Sequence, residues 1–328
     1  MAINFYKEMI GGQKIPSIGL GTWMSTDETE LETALNAAIE AGYRHIDTAI
    51  VYHNESLIGR ILKGWFSSGK LRREDFFITT KLPIAGLHED RVEMFIKKSL
   101  ENLQLDYLDL YLIHFPVASN YVGLDVTPPD QFKLEPVDHH LVWKKMEEQV
   151  DAGRTRAIGL SNFNENQIQK LLKSCRIQPA CLQIEVHLFM QQKELINFCH
   201  KNHILVIAYS PLGNPGYNKF LNVIGQKEKQ LPSALDNPIV KSVADKYKKS
   251  PGQVLLRFLI EKDIIPIPKS VSPKRIRENI DVFDFTLDKE DIHKLENVDR
   301  GEESRICDFS FFPPLLESEH FPFVKQRV

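Results

Sequence analysis

Short runs rich in β-branched and aromatic residues alternate along the chain with longer stretches whose apolar residues recur every three or four positions. The first run is Ser17-Ile18-Gly19-Leu20-Gly21, and Leu31, Ala34, Leu35, Ala38 and Ile39 then share one helical face. Ser25-Thr26-Asp27-Glu28 predicts a capped start for that helix and Gly42 its end. Further runs predict strands over 43–47, 76–81, 108–115, 156–160, 180–185, 205–209 and 264–268. Helical spacing predicts helices over 57–66, 91–103, 140–152, 165–172, 193–201, 239–247 with 251–261, and 274–282. Eight strand–helix units in one chain predict an α/β fold of the closed (β/α)8, or TIM barrel, kind. Ahead of the units, Ile10-Gly11-Gly12 between two short polar/apolar runs predicts a β-hairpin that plugs the N-terminal end of the barrel.

A doubly wound open sheet is the rival architecture, and it normally opens with G-x-G-x-x-G after its first strand. Gly19-Leu20-Gly21 starts that pattern but position 24 is Met, so the signature fails. Three segments fall outside the repeat: a loop over 116–138, another over 212–236, and a tail from about 301 to 328 rich in Phe and Pro. The whole of 1–328 is expected to form a single barrel domain, with the tail as a long C-terminal loop beside the site. Loops that follow strands lie on the C-terminal face, where this fold builds its sites.

Composition narrows the class. The 328 residues are 42% hydrophobic and 26% charged, which excludes wholesale disorder, and 41 basic against 44 acidic residues give a net charge of −3. Nothing in that balance asks for nucleic acid. No apolar run is long enough to span a membrane, and neither Met1 to Glu8 nor Gln326-Arg327-Val328 matches a targeting or lipidation signal. Cys175, Cys181, Cys199 and Cys307 fit neither a zinc knuckle nor a disulfide framework. A reduced, cytoplasmic, monomeric protein is expected, with no metal, no membrane and no nucleic-acid partner.

The strand ends carry the candidate chemistry. The second strand ends at Asp47, with Tyr52 in the turn beyond it; the third ends at Lys81 and the fourth at His114. Ser161-Asn162 end the fifth, Gln183 and Glu185 lie on the sixth, Tyr209-Ser210 end the seventh and Lys269-Ser270 the eighth. Singly, each has a plain reading: a turn-forming Asp, a solvated Lys, a satisfied His. A ring of Asp, Tyr, Lys and His at one mouth needs a common one.

Five stretches supply it: Ile18-Gly19-Leu20-Gly21-Thr22-Trp23, Asp47-Thr48-Ala49-Ile50-Val51-Tyr52-His53-Asn54-Glu55, Leu110-Tyr111-Leu112-Ile113-His114, Gly159-Leu160-Ser161-Asn162-Phe163 and Ile267-Pro268-Lys269-Ser270. In content and order the chain resembles the aldo-keto reductase superfamily from about residue 6 to 300. That superfamily holds aldose, aldehyde and hydroxysteroid reductases and insect reductases of ecdysteroid-like ketones. The resemblance implies NADPH-dependent reduction of an aldehyde or ketone, with Asp47, Tyr52, Lys81 and His114 as the catalytic tetrad. Tyr52 would give the proton, its pKa drawn down from about 10 by the Lys81 ammonium; Asp47 would hold Lys81, and His114 would orient the carbonyl oxygen.

The resemblance also implies the cofactor contacts. Thr22 and Trp23 would lie by the cofactor, and Ser161, Asn162 and Gln183 would hold the carboxamide. Tyr209 would stack under the nicotinamide, and Ser210 and Leu212 would line the pyrophosphate. Lys269, Ser270 and Arg275 would surround the adenosine 2′-phosphate, and Glu278 and Asn279 would meet the adenine. Two cations at that phosphate favour NADPH over NADH.

The chain departs from its relatives at the Lys/acid pair that clasps a loop over the pyrophosphate. Met24 and Gly216 occupy those positions, so looser closure and faster cofactor release are expected. Around the substrate, Trp23, Tyr52, Pro83, His114, Phe115 and Phe309 are the expected wall. Pro83 and Phe115 stand where aldose reductases often carry Trp, which implies a wider mouth and a bulky apolar, steroid- or isoprenoid-like carbonyl. The aromatic tail fits equally a role in packing against the barrel. Alternatives are a broad aldehyde or aldose reductase for small aldehydes, and a non-enzymatic scaffold or channel subunit on the same fold.

Overall fold

The computed structural model describes residues 5–123 and 127–323; of the chain ends read above for targeting signals, 1–4 and 326–328 lie outside them. An antiparallel hairpin of Tyr6–Glu8 and Lys14–Pro16 comes first. Eight parallel strands follow: Leu20–Gly21, His45–Asp47, Phe77–Leu82, Leu108–Ile113, Thr155–Ser161, Cys181–Glu185, Leu205–Tyr209 and Ile264–Pro266. Each pairs with its sequence neighbour. The ring closes between the first and last strands, where Gly19 N–H donates to Pro266 O (3.0 Å) and Gly21 N–H to Pro268 O (3.2 Å). This is the (β/α)8 barrel that the alternating pattern predicts.

Elements begin and end for local reasons. Asp27 accepts from Glu30 N–H at 2.8 Å and starts the helix Glu28–Ala41. Gly42 ends it at φ +103°, a conformation that costs glycine little. The first and eighth strands are shorter than expected, because Pro266 and Pro268 cannot donate to a ladder. The helix Lys289–Glu296 was not expected, although Asp288 caps it and acidic residues open it. The two loops are not wholly irregular either: Ala118–Ser119 pairs with Leu134–Glu135, and Tyr217–Val223 forms a helix.

Two apolar layers build the body. One fills the space between barrel and helices. The other fills the lumen with Leu110, Leu112, Ile207 and Ile265, and Met9 and Ile15 of the hairpin join it. The hairpin therefore stoppers the end where the strands start, and chemistry is left to the opposite mouth. No helix among the described residues is long and apolar enough to cross a membrane. Cys181 and Cys199 are buried free thiols, and burial pushes the Cys199 thiol up to about 12.

Candidate active site

Asp47 and Lys81 end neighbouring strands and point into the same mouth. Their side chains are 3% and 0% exposed, and Lys81 Nζ donates to Asp47 Oδ1 at 2.6 Å and to Thr48 O at 2.8 Å. From the sixth strand Gln183 Nε2 donates to Asp47 Oδ2 at 2.7 Å, so both carboxylate oxygens are used. Beyond Asp47 a short 3₁₀ turn, Ile50–Tyr52, swings Tyr52 back over the pair. Asn54 holds that turn: it accepts from Thr48 Oγ1 (2.7 Å) and donates to Thr22 O (2.9 Å) and Ser25 O (3.2 Å). Lys81 Nζ lies 5.1 Å from the Tyr52 ring centroid, and the His114 ring meets that ring edge-on with centroids 5.7 Å apart. Four residues from three strands and a turn thus converge at one point.

Electrostatics there corrects one expectation. Burial pushes the Tyr52 phenol well above its ordinary 10, with Asp47 and then Cys307 adding to the rise. The acidified phenol foreseen from Lys81 is not what this arrangement gives, because burial disfavours the phenolate and the nearby Asp47 charge adds to that cost. Burial also draws Lys81 down, against the pull of Asp47. Burial and then the Lys81 charge hold His114 well below 6.5, so its imidazole is neutral. Tyr52 is therefore a protonated phenol beside a neutral imidazole, a pair able to give one proton and one hydrogen bond to a single oxygen.

A second network rings the mouth. Asn162, at φ +63°, donates to His114 O (2.9 Å) and Ser161 Oγ (3.1 Å) and accepts from Tyr209 OH (2.8 Å). Ser161, Asn162 and Gln183 are nearly fully buried, while Tyr209, Ser210 and Leu212 are partly exposed. Farther out, Lys269 and Arg275 are exposed and Ser270 is buried. The helix Pro273–Ile280 starts on a Ser272 cap; Asn279 is buried in it, and Glu278 sits 3.8 Å from Lys274. Burial lowers the Lys269 ammonium, Glu30 opposes this, and Lys219 and Arg275 lower it further. Lys219 was missed in the sequence because it projects from the unforeseen helix Tyr217–Val223.

The expected substrate wall is only partly open. Trp23, Tyr52, His114 and Phe309 keep some exposure, but Pro83 is buried and Phe115 is 3% exposed. Phe309, Phe321 and Phe323 of the tail cover Phe115 at centroid distances of 4.5, 6.0 and 5.9 Å. Phe220 was also missed. It meets Trp23 at 5.1 Å and Phe311 at 5.2 Å, and Lys229 Nζ donates to Asp308 Oδ1 at 2.6 Å. The loop that lacks a Met24–Gly216 ion pair is thus fastened to Trp23 and to the tail.

The aldo/keto reductase family model matches residues 17–300, which takes in every one of these residues except the tail. The chain belongs to the aldo/keto reductase family. By that membership it is an NADP-dependent oxidoreductase acting on carbonyl groups. It is 42% identical over 300 residues to aldo-keto reductase family 1 member A1 of Xenopus tropicalis, covering 90% of this chain and 89% of that one. It is 40% identical over 300 residues to an aldose reductase of Encephalitozoon cuniculi, covering 90% and 93%. Among solved structures it is similar to the aldose reductase of Schistosoma japonicum (TM-score 0.87, 39% identity, 98% and 100% covered). It is similar also to a Bombyx mori aldo-keto reductase in complex with NADP (TM-score 0.86, 36% identity, 98% and 100% covered). In this aldo-keto reductase Asp47, Tyr52, Lys81 and His114 thus stand at the strand-end mouth, where this barrel fold builds its sites.

Proposed function

We propose that this aldo-keto reductase reduces a bulky, apolar aldehyde or ketone to the alcohol. The observation that carries the chemistry is the convergence of a protonated Tyr52 and a neutral His114 over the buried Asp47–Lys81 pair. When bound, NADPH supplies the hydride that goes to the carbonyl carbon. Tyr52 gives its hydroxyl proton to the carbonyl oxygen, and His114 donates a hydrogen bond that orients the oxygen and shares its developing charge. Lys81, fixed by Asp47, stabilises the phenolate left behind until solvent returns the proton.

The residues suit such a cofactor. Lys219, Lys269 and Arg275 form no ion pairs among the described residues, yet stand close enough for the other two to act on Lys269. Clustered cations that are not tied up in ion pairs fit a phosphate. Ser270, Glu278 and Asn279 would complete the adenosine end; Ser210 and Leu212 would line the pyrophosphate. Ser161, Asn162 and Gln183 would hold the carboxamide over Tyr209, with Thr22 and Trp23 at the rim. Lys269→Ala and Arg275→Ala are each expected to weaken NADPH binding about 10- to 100-fold and leave NADH binding nearly unchanged. Fluorescence titration with both nucleotides checks this, and an equal loss for both would remove the 2′-phosphate assignment.

The preference for bulk rests on an arc of partly exposed rings, Trp23, Phe220, Phe311 and Phe309, with successive centroids 5.1, 5.2 and 5.8 Å apart. Such a wall rewards apolar area. A second reading, a reductase of small aldehydes, is favoured by the tail cover over Phe115. A panel of steroid ketones, isoprenoid aldehydes and glyceraldehyde decides between them: bulky compounds are expected to lead in kcat/KM by about tenfold or more, a gap of about 1.4 kcal/mol. Glyceraldehyde in the lead would decide for the small-aldehyde reading.

A further inference from the structure

Glu185 is one of several buried acids that the chemistry above leaves unused. Glu185 ends the sixth barrel strand, two residues beyond Gln183, with its side chain 0% exposed. Its Oε1 accepts from the backbone N–H of Ile306 at 2.7 Å and its Oε2 from that of Cys307 at 2.8 Å. His187 Nδ1 accepts from Phe189 N–H at 3.3 Å, so the ring proton is on Nε2, which donates to Glu185 Oε1 at 3.0 Å. Burial alone would raise the carboxyl, but the His187 hydrogen bond and the Arg305 charge outweigh it and keep the group ionised. A strand-end carboxylate is thus closed inside the protein with three donors, two of them consecutive peptides of the tail.

What those two peptides position is the rest of the tail. Arg305, one residue before, lies 3.7 Å over the Phe323 ring and pairs with Glu302 at 2.6 Å. Cys307 is an electrostatic neighbour of both Tyr52 and Tyr209, so the chain enters the mouth here. Phe309 and Phe311 follow at once, the first on Phe115 and the second on Phe220. A shift of one residue at Ile306 and Cys307 would re-aim every aromatic that follows.

We propose that Glu185 is a positioning residue for substrate selection: by gripping the N–H groups of Ile306 and Cys307 it sets the register of the tail over the mouth, and so which carbonyl compounds reach Tyr52 and His114. The inference rests on the reading of the mouth as a carbonyl-reducing site.

Glu185→Gln tests it in the full-length protein with NADPH. The amide keeps the shape but offers one acceptor oxygen, and its NH₂ faces a peptide N–H. Exchange of the Ile306 and Cys307 amide hydrogens is expected to rise about tenfold or more, with the barrel strands unchanged. KM for a large aromatic ketone is expected to change about tenfold or more, while kcat, NADPH affinity and kcat/KM for glyceraldehyde stay within about twofold. Glu185→Asp, which keeps the charge on a shorter stem, is expected to fall between, and it decides the matter if the glutamine variant does not fold. Unchanged exchange at both amides, or an equal loss of kcat with every substrate, overturns the proposal. Absence of carbonyl reduction by the unaltered protein would sink the reading of the mouth, while the exchange result would still report on the grip.

Discussion

Tyr52→Phe is expected to bind NADPH with unaltered affinity and to lose turnover by about 10²–10⁴-fold, the range that a well-placed general acid supplies. The ring, its edge-on contact with His114 and its place over Lys81 all survive the change; only the proton is removed. The loss should fall on kcat with little change in KM, because the hydroxyl acts on charge that develops during the reaction. The direction of the pKa shift adds a second readout. Because burial holds Tyr52 well above 10, the donor form persists upward through that range, and kcat/KM for reduction should stay level to about pH 10. A falling limb near neutrality that vanishes in Tyr52→Phe would mean that the Lys81 field prevails after all. Retained turnover in the variant would remove Tyr52 from the chemistry.

The second large effect concerns the pair below. Lys81→Met leaves Asp47 charged and sealed from water, with Gln183 as its remaining side-chain partner. Stranding one half of a buried ion pair costs about 3–5 kcal/mol, whereas replacing both halves by apolar groups is often neutral. Urea unfolding should therefore show a lowered midpoint for Lys81→Met and recovery of most of it in Lys81→Met/Asp47→Leu, with both proteins inactive. If the single variant is as stable as the parent, the two groups are not held as an ion pair.

Much of this site is legible in the sequence because a barrel turns spacing into geometry. Each strand end must reach the same mouth, so Asp47, Lys81, His114 and Gln183 are brought together by topology alone. The parts that escaped depend on other physics. Lys219 and Phe220 sit on a helix formed inside a loop, where no long apolar period announces it. Phe115 was read as a wall, and it is covered because three tail aromatics, about 200 residues away in sequence, find it. The sign of the Tyr52 shift was missed because proximity to Lys81 was counted, whereas the burial of the phenol, which outweighs it, and the added Asp47 charge were not. Helix Lys289–Glu296, by contrast, carried a readable signal in Asp288 and its acidic first turn.

The hydrogen bond from Gln183 to Asp47 has a mechanical consequence. It joins the sixth strand to the second, on opposite sides of an eight-membered ring, and Lys81 extends the link to the third. Such a spoke resists flattening of the opening into an oval. With the spacing among the reacting groups held by this spoke, differences in the segments packed above it need not disturb the distances on which catalysis depends.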